Sequence, residues 1–574
     1  MFKLTQHKGF KSYLIAIFLN AFIVTGHLVL LAQMMSRLVV ADDALWLLLG
    51  VTAMISVPFI LLFSSAGLLA DHFDKALVQR WSAVAMTLLT LWLLLCHSEG
   101  WLWWSYGSVV LFSIERALSS PSRYAYLKQA FGKRFIAQGN ALVVIVSAVA
   151  VLLAIVVISL MYDHSYIVSR LNRGVVSTTK AVMLATPTTL FLVLGALLQL
   201  FFVFRLPAVS RVNLGKMKGV LSWIVEPSLR EDFQAMMKNP VILACLAGVI
   251  SFWSTSVVLF ICFPEYLHSQ QAAHMPLGYP ELIVMGLLGM ALGSIYAGRL
   301  SKLFIESGYV VLAAIGITAS LLILPSLSST LFIQLIFLAY GFFFGLLLVP
   351  LNALVQFGTE TSRLGGVIGI IGGVLHVLML FVVALTVVFL VIGVDSIYLL
   401  RAIFVIALLV AVFTLVWVPQ GLVRYVMYFV ASRFFDIDVY GFENLPSSGP
   451  VLLLGNHTSY MDWAIIQIVS PRPVRFAMSR NVYEKWYLKA ILRAFKIIPI
   501  SKTIDKDSIR TISAALDDGE VVALFPEGYL SHNGQIGTFH ADFEQILERT
   551  EVDVNVVPFY IRGLWGTGAS QATA

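Results

Sequence analysis

In GNHTSYMDW, residues 455–463, a histidine and an aspartate stand five positions apart, directly after the apolar run VLLLG. Five steps along an ideal helix rotate two side chains about 140° apart, so a single helix does not join His457 to Asp462. A strand ending near His457 and a helix beginning near Ser459 would, with Thr458 or Ser459 as N-cap and Asp462 in the first helical turn. That arrangement suits an imidazole held at one nitrogen by a carboxylate while its other nitrogen takes a proton from a substrate. The nucleophile would then be a substrate hydroxyl, because no serine or cysteine of the chain is obviously placed for that task. Taken alone, the spacing more often marks a surface histidine near a helix cap, so the reading depends on what accompanies it.

Related segments follow. VVALFPEGYLS places Phe525-Pro526-Glu527-Gly528 just past an apolar run, and VNVVPFYIRG places Val557-Pro558 at another. FKIIPISK, which ends at Lys502, lies between the histidine and these segments. PVLLLGN, VRFAMS, EVVALFP and VNVVPFYIRG read as short strands, and DWAIIQIV, WYLKAILRAFK and SIRTISAALDDG as helices. Their alternation predicts an α/β domain over residues 436–574. Between Arg472 and Arg510 basic residues outnumber acidic ones. A solvated or lipid-facing surface is the plain reading; docking of an acidic partner or of anionic headgroups is the functional one.

The elements before this domain are of another kind. Of the 574 residues 59% are hydrophobic and 12% charged, half the charge of an ordinary soluble domain, so most of the chain must face lipid. The formal charge of +7 then reads as loop lysines and arginines beside anionic lipid rather than as a nucleic-acid surface. Cys96, Cys245 and Cys262 lie in or beside apolar runs and offer neither a disulfide framework nor a metal site. The basic start and long apolar run of the first residues, with no small-residue cleavage site, read as a retained span. Twelve runs are long enough to cross a bilayer, near 12–38, 44–70, 77–97, 101–121, 137–161, 181–204, 241–262, 281–300, 308–326, 329–355, 365–393 and 396–418.

A basic linker, 206–239, divides the spans into halves of about 1–205 and 240–418. Basic loops around Lys75, Arg80, Arg123, Lys128, Arg299 and Arg363 predict cytoplasmic termini, with 162–180 as an outside loop that breaks the trend. Residues 419–435 are amphipathic and either lie in the membrane interface or pack on their own domain. His27, Asn140, Asn352, His376 and Arg401 fall within spans, as do Glu115 and Arg116 near the end of the fourth. Such groups are candidates for a transport path, with packing or gating as the ordinary alternative. The glycines of LGGVIGIIGGV, 364–374, read as close helix packing.

Six plus six spans with GLLADHFDK between the second and third resemble the major facilitator superfamily. Gly67 and Asp71 match its loop motif; the second half keeps Gly293 but has Ala297 where the acid would be. Within that superfamily, RALSSPSRYAYLKQAF (116–131) and FLNAF (18–22, with Asn20) resemble the fourth and first spans of bacterial lysophospholipid transporters, although Val24-Thr25 replaces an Asp-Asn pair usual there. Downstream, N-H-x4-D, F-P-E-G and V-P in order resemble the glycerophospholipid acyltransferases over roughly residues 430–565.

The resemblance implies an all-α twelve-span bundle followed by a cytoplasmic α/β acyltransferase domain. It makes His457 the general base and Asp462 its orienting acid, with Pro526, Glu527 and Gly528 against the acceptor's glycerophosphate. Lys502 stands where an arginine often binds phosphate, but it lacks the planar two-point contact. Tyr529-Leu530 replaces the Thr-Arg that often continues F-P-E-G. Asp71 and Gly67 would serve gating, and Asn20, His27, Arg116, Asn140 and His376 the transport path. The order resembles bacterial fusions of a lysophospholipid transporter with an acyltransferase of the 2-acylglycerophosphoethanolamine type.

These resemblances lead to an expectation of a multi-pass inner-membrane protein that imports lysophospholipid and reacylates it. No metal or resident cofactor is expected, and no nucleic-acid partner. Acyl carrier protein or CoA would bring the acyl group as a co-substrate. In longer members an acyl–acyl carrier protein synthetase follows, near where this chain ends. Alternatives are an anchored acyltransferase without vectorial transport, and a transporter of other amphiphiles with a silent C-terminal domain.

Overall fold

The computed structural model describes residues 6–38, 44–173, 176–209, 227–269, 279–301, 305, 308–417, 419–441, 444–446, 448–470, 472–500 and 506–572. Chain contacts divide it into two compact units, 1–302 with 313–412, and 303–312 with 413–574.

Helices build the first unit: α1 (Phe10–Leu38), α2 (Ala44–His72), α3 (Lys75–Ser98), α4 (Leu102–Phe131), α5 (Ile136–Arg173), α6 (Thr178–Met183) and α7 (Thr186–Phe204) in the first half. The linker contributes α8 (Pro227–Lys238). The second half has α9 (Pro240–Ser269), α10 (Tyr279–Leu300), α11 (Tyr309–Ile323), α12 (Thr330–Gly358), α13 (Leu364–Val391) and α14 (Ser396–Trp417). Among the described residues, 11 segments are long and apolar enough to cross a membrane. α4, at the place of the remaining expected span, is 30 residues long but carries Glu115, Arg116, Arg123 and Lys128.

Two helices outrun their expected ends. α4 continues through Pro121 to Phe131, so Arg123 and Lys128 belong to a span and not to a loop. Gln79 of α3 holds this stretch, donating to Ser122 Oγ at 2.6 Å and to the Ser119 carbonyl at 3.3 Å. α5 continues to Arg173 and takes up most of the expected outside loop. There Arg37 pairs with Asp163, and its guanidinium lies 4.1 Å over the Tyr166 ring. Arg401, expected inside, is exposed, with its guanidinium 6.0 Å over Tyr398.

The two halves are tied at the end where α2 and α4 finish and α13 begins. Asp71 accepts the Gly365 and Gly366 backbone N–H groups at 2.7 and 2.8 Å, a carboxylate on free donors at a helix N-terminus. A Cβ on Gly67 would lie 2.8 Å from the Gly366 Cα, so the crossing of α2 and α13 depends on hydrogen at that position. Lys128 donates to the Thr359 carbonyl, and Gln356 Nε2 to Asn140 Oδ1 at 2.9 Å. Arg363 pairs with Glu231 of α8 at 3.1 Å, which attaches the linker helix at the same end.

The second unit is a three-layer α/β domain. Its strands, β1 (Val451–Gly455), β2 (Val474–Ser479), β3 (Ile498–Ile500), β4 (Val521–Leu524) and β5 (Asn555–Phe559), form one parallel sheet in the order β3-β2-β4-β1-β5. Its helices are α15 (Pro419–Ala431), α16 (Asp462–Val469), α17 (Arg480–Tyr483), α18 (Trp486–Ala494), α19 (Lys506–Asp517) and α20 (Asp542–Arg549). The period of two along each strand decides the layers. Val451, Leu453, Val474, Phe476, Val521 and Ala523 face α15, α16 and α18. Leu452, Val522 and Leu524 face α19 and α20. α15 packs on its own domain through Val423 and Met427, and Arg424 donates to the Ile468 carbonyl at 2.9 Å.

Candidate active site and transport cavity

β1 and β4 are parallel neighbours with Leu454 opposite Leu524. Gly455-Asn456-His457 and Phe525-Pro526-Glu527-Gly528 therefore leave the same carboxyl edge of the sheet side by side, the place where such sheets present ligand sites. β5 flanks β1 on the other side, with Gly455 opposite Phe559, and brings Ile561 to the same edge. Asn456 bridges that gap, donating through Nδ2 to the Ile561 carbonyl at 2.9 Å and accepting its N–H at 2.7 Å.

The His457 ring stacks on Phe525, with centroids 4.1 Å apart and planes 9° apart. Its Nδ1 lies 2.9 Å from Asp462 Oδ2. A carboxylate oxygen only accepts, so Nδ1 carries a proton, which in the neutral ring leaves the lone pair on Nε2. The same Oδ2 accepts the N–H groups of Thr458 at 2.7 Å and Ser459 at 2.9 Å. Asp462 is fully buried, whereas the His457 side chain is 23% exposed. α16 begins at Asp462, not near Ser459. The carboxylate draws the Thr458 and Ser459 N–H groups back onto itself, and Ser459 Oγ accepts from Met461 N at 3.1 Å, so residues 458–461 form a turn.

Glu527 departs from expectation. It is wholly buried; Oε1 accepts the backbone N–H of His457 at 2.9 Å and Oε2 that of Gly537 at 2.8 Å. Both oxygens bond the protein's own backbone and the side chain is wholly buried, so in this structure Glu527 holds the backbone of His457 in place. Ser531 N–H on the His457 carbonyl, at 2.8 Å, fixes the other side of that residue. Pro526 is also buried, its carbonyl accepting from His540 N at 2.9 Å. Gly528 is the exposed member of the turn, at φ 70°, with its N–H on the Phe525 carbonyl at 3.0 Å. Lys502 lies outside the described residues. Phe525, which sequence reasoning named only as part of a motif, is the platform under the imidazole.

Part of the basic excess is committed to structure. Arg472 donates to the Pro446, Gly449 and Gly519 carbonyls at 3.0, 2.7 and 2.8 Å, and burial pushes its guanidinium pKa down. Arg475 pairs with Glu520 at 2.6 Å. Lys489 pairs with Glu484 and holds that carboxyl below its usual range.

The first unit encloses a cavity of about 420 Å³ among its helices. Arg116, Ser120 and Arg123 line it from α4. Spacings of four and seven put them on one helical face, a sequence signal that the expected helix end at 121 concealed. His27, Asn352, Gln356 and His376 add polar groups, and Phe59, Trp253, Leu375 and Met379 apolar wall. Among the described residues lining it there is no carboxylate.

Asn20 stands behind Arg123, accepting from Nη2 at 2.8 Å. His27 Nε2 is 3.1 Å from Ser108 Oγ, and the His376 ring stacks on Phe59 at 3.9 Å. Asn140 does not line the cavity but holds Gln356, which does. Glu115 is buried and accepts from Ser82. Gly67 and Asp71 belong to the tie between the halves, and Asp71 bonds α13; Arg80 donates to the Leu206 carbonyl at 3.0 Å.

Comparison with known proteins matches both units. The Major Facilitator Superfamily profile covers residues 13–382 and the Acyltransferase profile residues 436–562. The human organic anion transporter MFSD10 has a TM-score of 0.53 at 13% identity, over 70% of this chain and 97% of its own. The proton:xylose symporter XylE gives 0.52 at 12% identity, over 71% of this chain and 95% of its own. At such identities the likeness concerns the fold.

The chain is 27% identical over 135 residues to the chloroplastic 1-acyl-sn-glycerol-3-phosphate acyltransferase LPAT1 of Arabidopsis thaliana, and 26% identical to BAT2 of Brassica napus. Those matches cover 23% of this chain and only 37% and 38% of the two plant proteins. The chain belongs to the major facilitator superfamily, as a multi-pass membrane transporter fused to a C-terminal acyltransferase domain.

Proposed function

We propose that this protein carries a lysophospholipid across a bacterial inner membrane and re-esterifies it at the cytoplasmic surface, with an acyl thioester as donor. The observation that carries the enzymatic half is the imidazole of His457, its Nδ1–H on buried Asp462 and its side chain partly exposed. A free glycerol hydroxyl gives its proton to Nε2 as the oxygen attacks the thioester carbonyl. The tetrahedral intermediate collapses, and the thiolate leaves with the proton returned by the imidazolium. Asp462 keeps the working tautomer and stabilises the transient positive ring. The reaction balances with the two substrates alone. The plant relatives are named for a 1-acylglycerol phosphate acceptor, which supports an acceptor with one chain and one free hydroxyl; lysophosphatidylethanolamine is the first to try. Acyl carrier protein or CoA supplies the donor.

The transport half rests on the cavity. Two guanidiniums, no lining carboxylate among the described residues and apolar walls suit a phosphate head joined to a single acyl chain. A lysophospholipid needs such a route because its polar head does not readily cross about 30 Å of hydrocarbon. The test is uptake of labelled lysophosphatidylethanolamine into proteoliposomes of each orientation, with acyl transfer measured alongside. Uptake that survives His457→Ala while acylation is lost supports the proposal. Acylation with no uptake in either orientation leaves only an anchored enzyme, and acylation unchanged by His457→Ala removes the catalytic assignment.

A further inference from the structure

α15 and α18 lie side by side on one face of the sheet, and their outer surfaces have no part in the site above. α18 buries Leu492 against the core, with Leu488 and Ile491 packed beside it. It turns outward Trp486, 86% exposed, and Tyr487, 54% exposed. Ala490 and Arg493 continue that exposed face. α15 leaves Val426, Phe429 and Val430 exposed, and Phe434 just beyond it is 77% exposed. Cations accompany these groups. Lys485 Nζ lies 6.0 Å over the Tyr487 ring, and the Arg433 guanidinium 5.1 Å over Phe429. Residues 480–493 hold Arg480, Lys485, Lys489 and Arg493 against one acid, Glu484, which Lys489 already pairs.

Exposed tryptophan, tyrosine and phenylalanine cost free energy in water. At a bilayer surface the same rings sit at headgroup depth, and lysine and arginine reach lipid phosphates. An acidic protein partner would satisfy the cations, but it would leave a row of aliphatic and aromatic groups on two neighbouring helices without a matching environment. Connectivity favours lipid too, because only residue 418 separates α14, a spanning segment, from the start of α15. We propose that the exposed faces of α15 and α18 form a docking surface for anionic lipid. Trp486 and Tyr487 enter the headgroup layer, and Lys485, Arg433 and Arg493 bind phosphates.

The test uses the full chain in vesicles containing phosphatidylglycerol. The three native cysteines are buried, so a Trp486→Cys variant carries one environment-sensitive fluorophore, with Glu548→Cys on α20 as the reference site. At 486, emission should shift to the blue and be quenched by lipids bearing a nitroxide near the headgroup, with iodide excluded. At 548, iodide should quench freely. Adding Lys485→Glu or Arg493→Glu should lower the ratio of lipid-bound to free label roughly fivefold for each charge, by weakening attraction to anionic lipid. Equal iodide quenching at both sites, without lipid quenching, overturns the proposal. So does shielding of residue 486 that appears only on adding acyl carrier protein, which would assign the surface to a protein partner.

Discussion

Asp462 Oδ2 receives the Nδ1–H of His457 at 2.9 Å and, within 3 Å, the backbone N–H groups of Thr458 and Ser459. Three donors on one buried oxygen fix the carboxylate in place and hold the ring in a single orientation. His457→Ala should reduce acyl transfer roughly 10²- to 10⁴-fold, the range of general-base catalysis. Asp462→Asn should cost a similar amount, because an amide can present its N–H₂ to Nδ1 and favour the wrong tautomer. Initial rates with labelled acyl thioester and lysophospholipid check both; a drop smaller than threefold in either would exclude the assigned role.

Glu527→Gln separates a positioning role from phosphate binding. The amide loses one of the two acceptors that hold His457 N and Gly537 N. The loss should lower kcat by roughly 10-fold or more, as expected for about 1–3 kcal/mol of unsatisfied backbone donor, while KM for the acceptor stays within about twofold. A rise in KM at constant kcat would return Glu527 to substrate binding.

Gly528 has φ 70°, where a side chain is strained, and a Cβ there would meet His540 Cδ2 at 3.4 Å. Gly528→Ala should destabilise the acyltransferase domain by about 1 kcal/mol, read from its thermal unfolding in the intact protein. Unchanged unfolding would show that the turn relaxes at no cost.

Arg116 and Arg123 face one cavity from a single helical stripe. Arg123→Ala should reduce uptake of lysophospholipid at least about 10-fold, and Arg123→Lys less, because ammonium keeps the charge but not the two-point contact with phosphate. Flux of the labelled lipid across proteoliposomes measures this. Equal uptake by all three proteins would remove the guanidinium from the path.

Asp71 anchors the first turn of α13 through two backbone N–H groups. Asp71→Asn removes the charge that favours this helix terminus and should loosen the tie by about 1–2 kcal/mol. A cysteine at Thr359, buried at the same end, should then react several-fold faster with a membrane-impermeant maleimide. Equal rates would mean that Lys128 and Gln356 hold that end without Asp71.

Much of this protein follows from local sequence. Runs of about twenty apolar residues have to satisfy their backbone within lipid, and helices do so; alternating short strands and helices past residue 435 make an α/β domain. On a single helix His457 and Asp462 would point apart, whereas a strand-to-helix turn would let them meet, and such a turn is present. Tertiary structure decided the rest. Strand order is not written in periodicity, so only the pairing of β1 with β4 brings Phe525 under the imidazole and Glu527 onto the backbone of His457, 70 positions away. Burial sets an expected substrate ligand against the protein's own backbone, with both oxygens on backbone N–H groups and neither exposed. Arg123 looked like a loop charge because charged residues usually end a span; the stripe it shares with Arg116 carries it into the cavity that the packing of the other helices leaves.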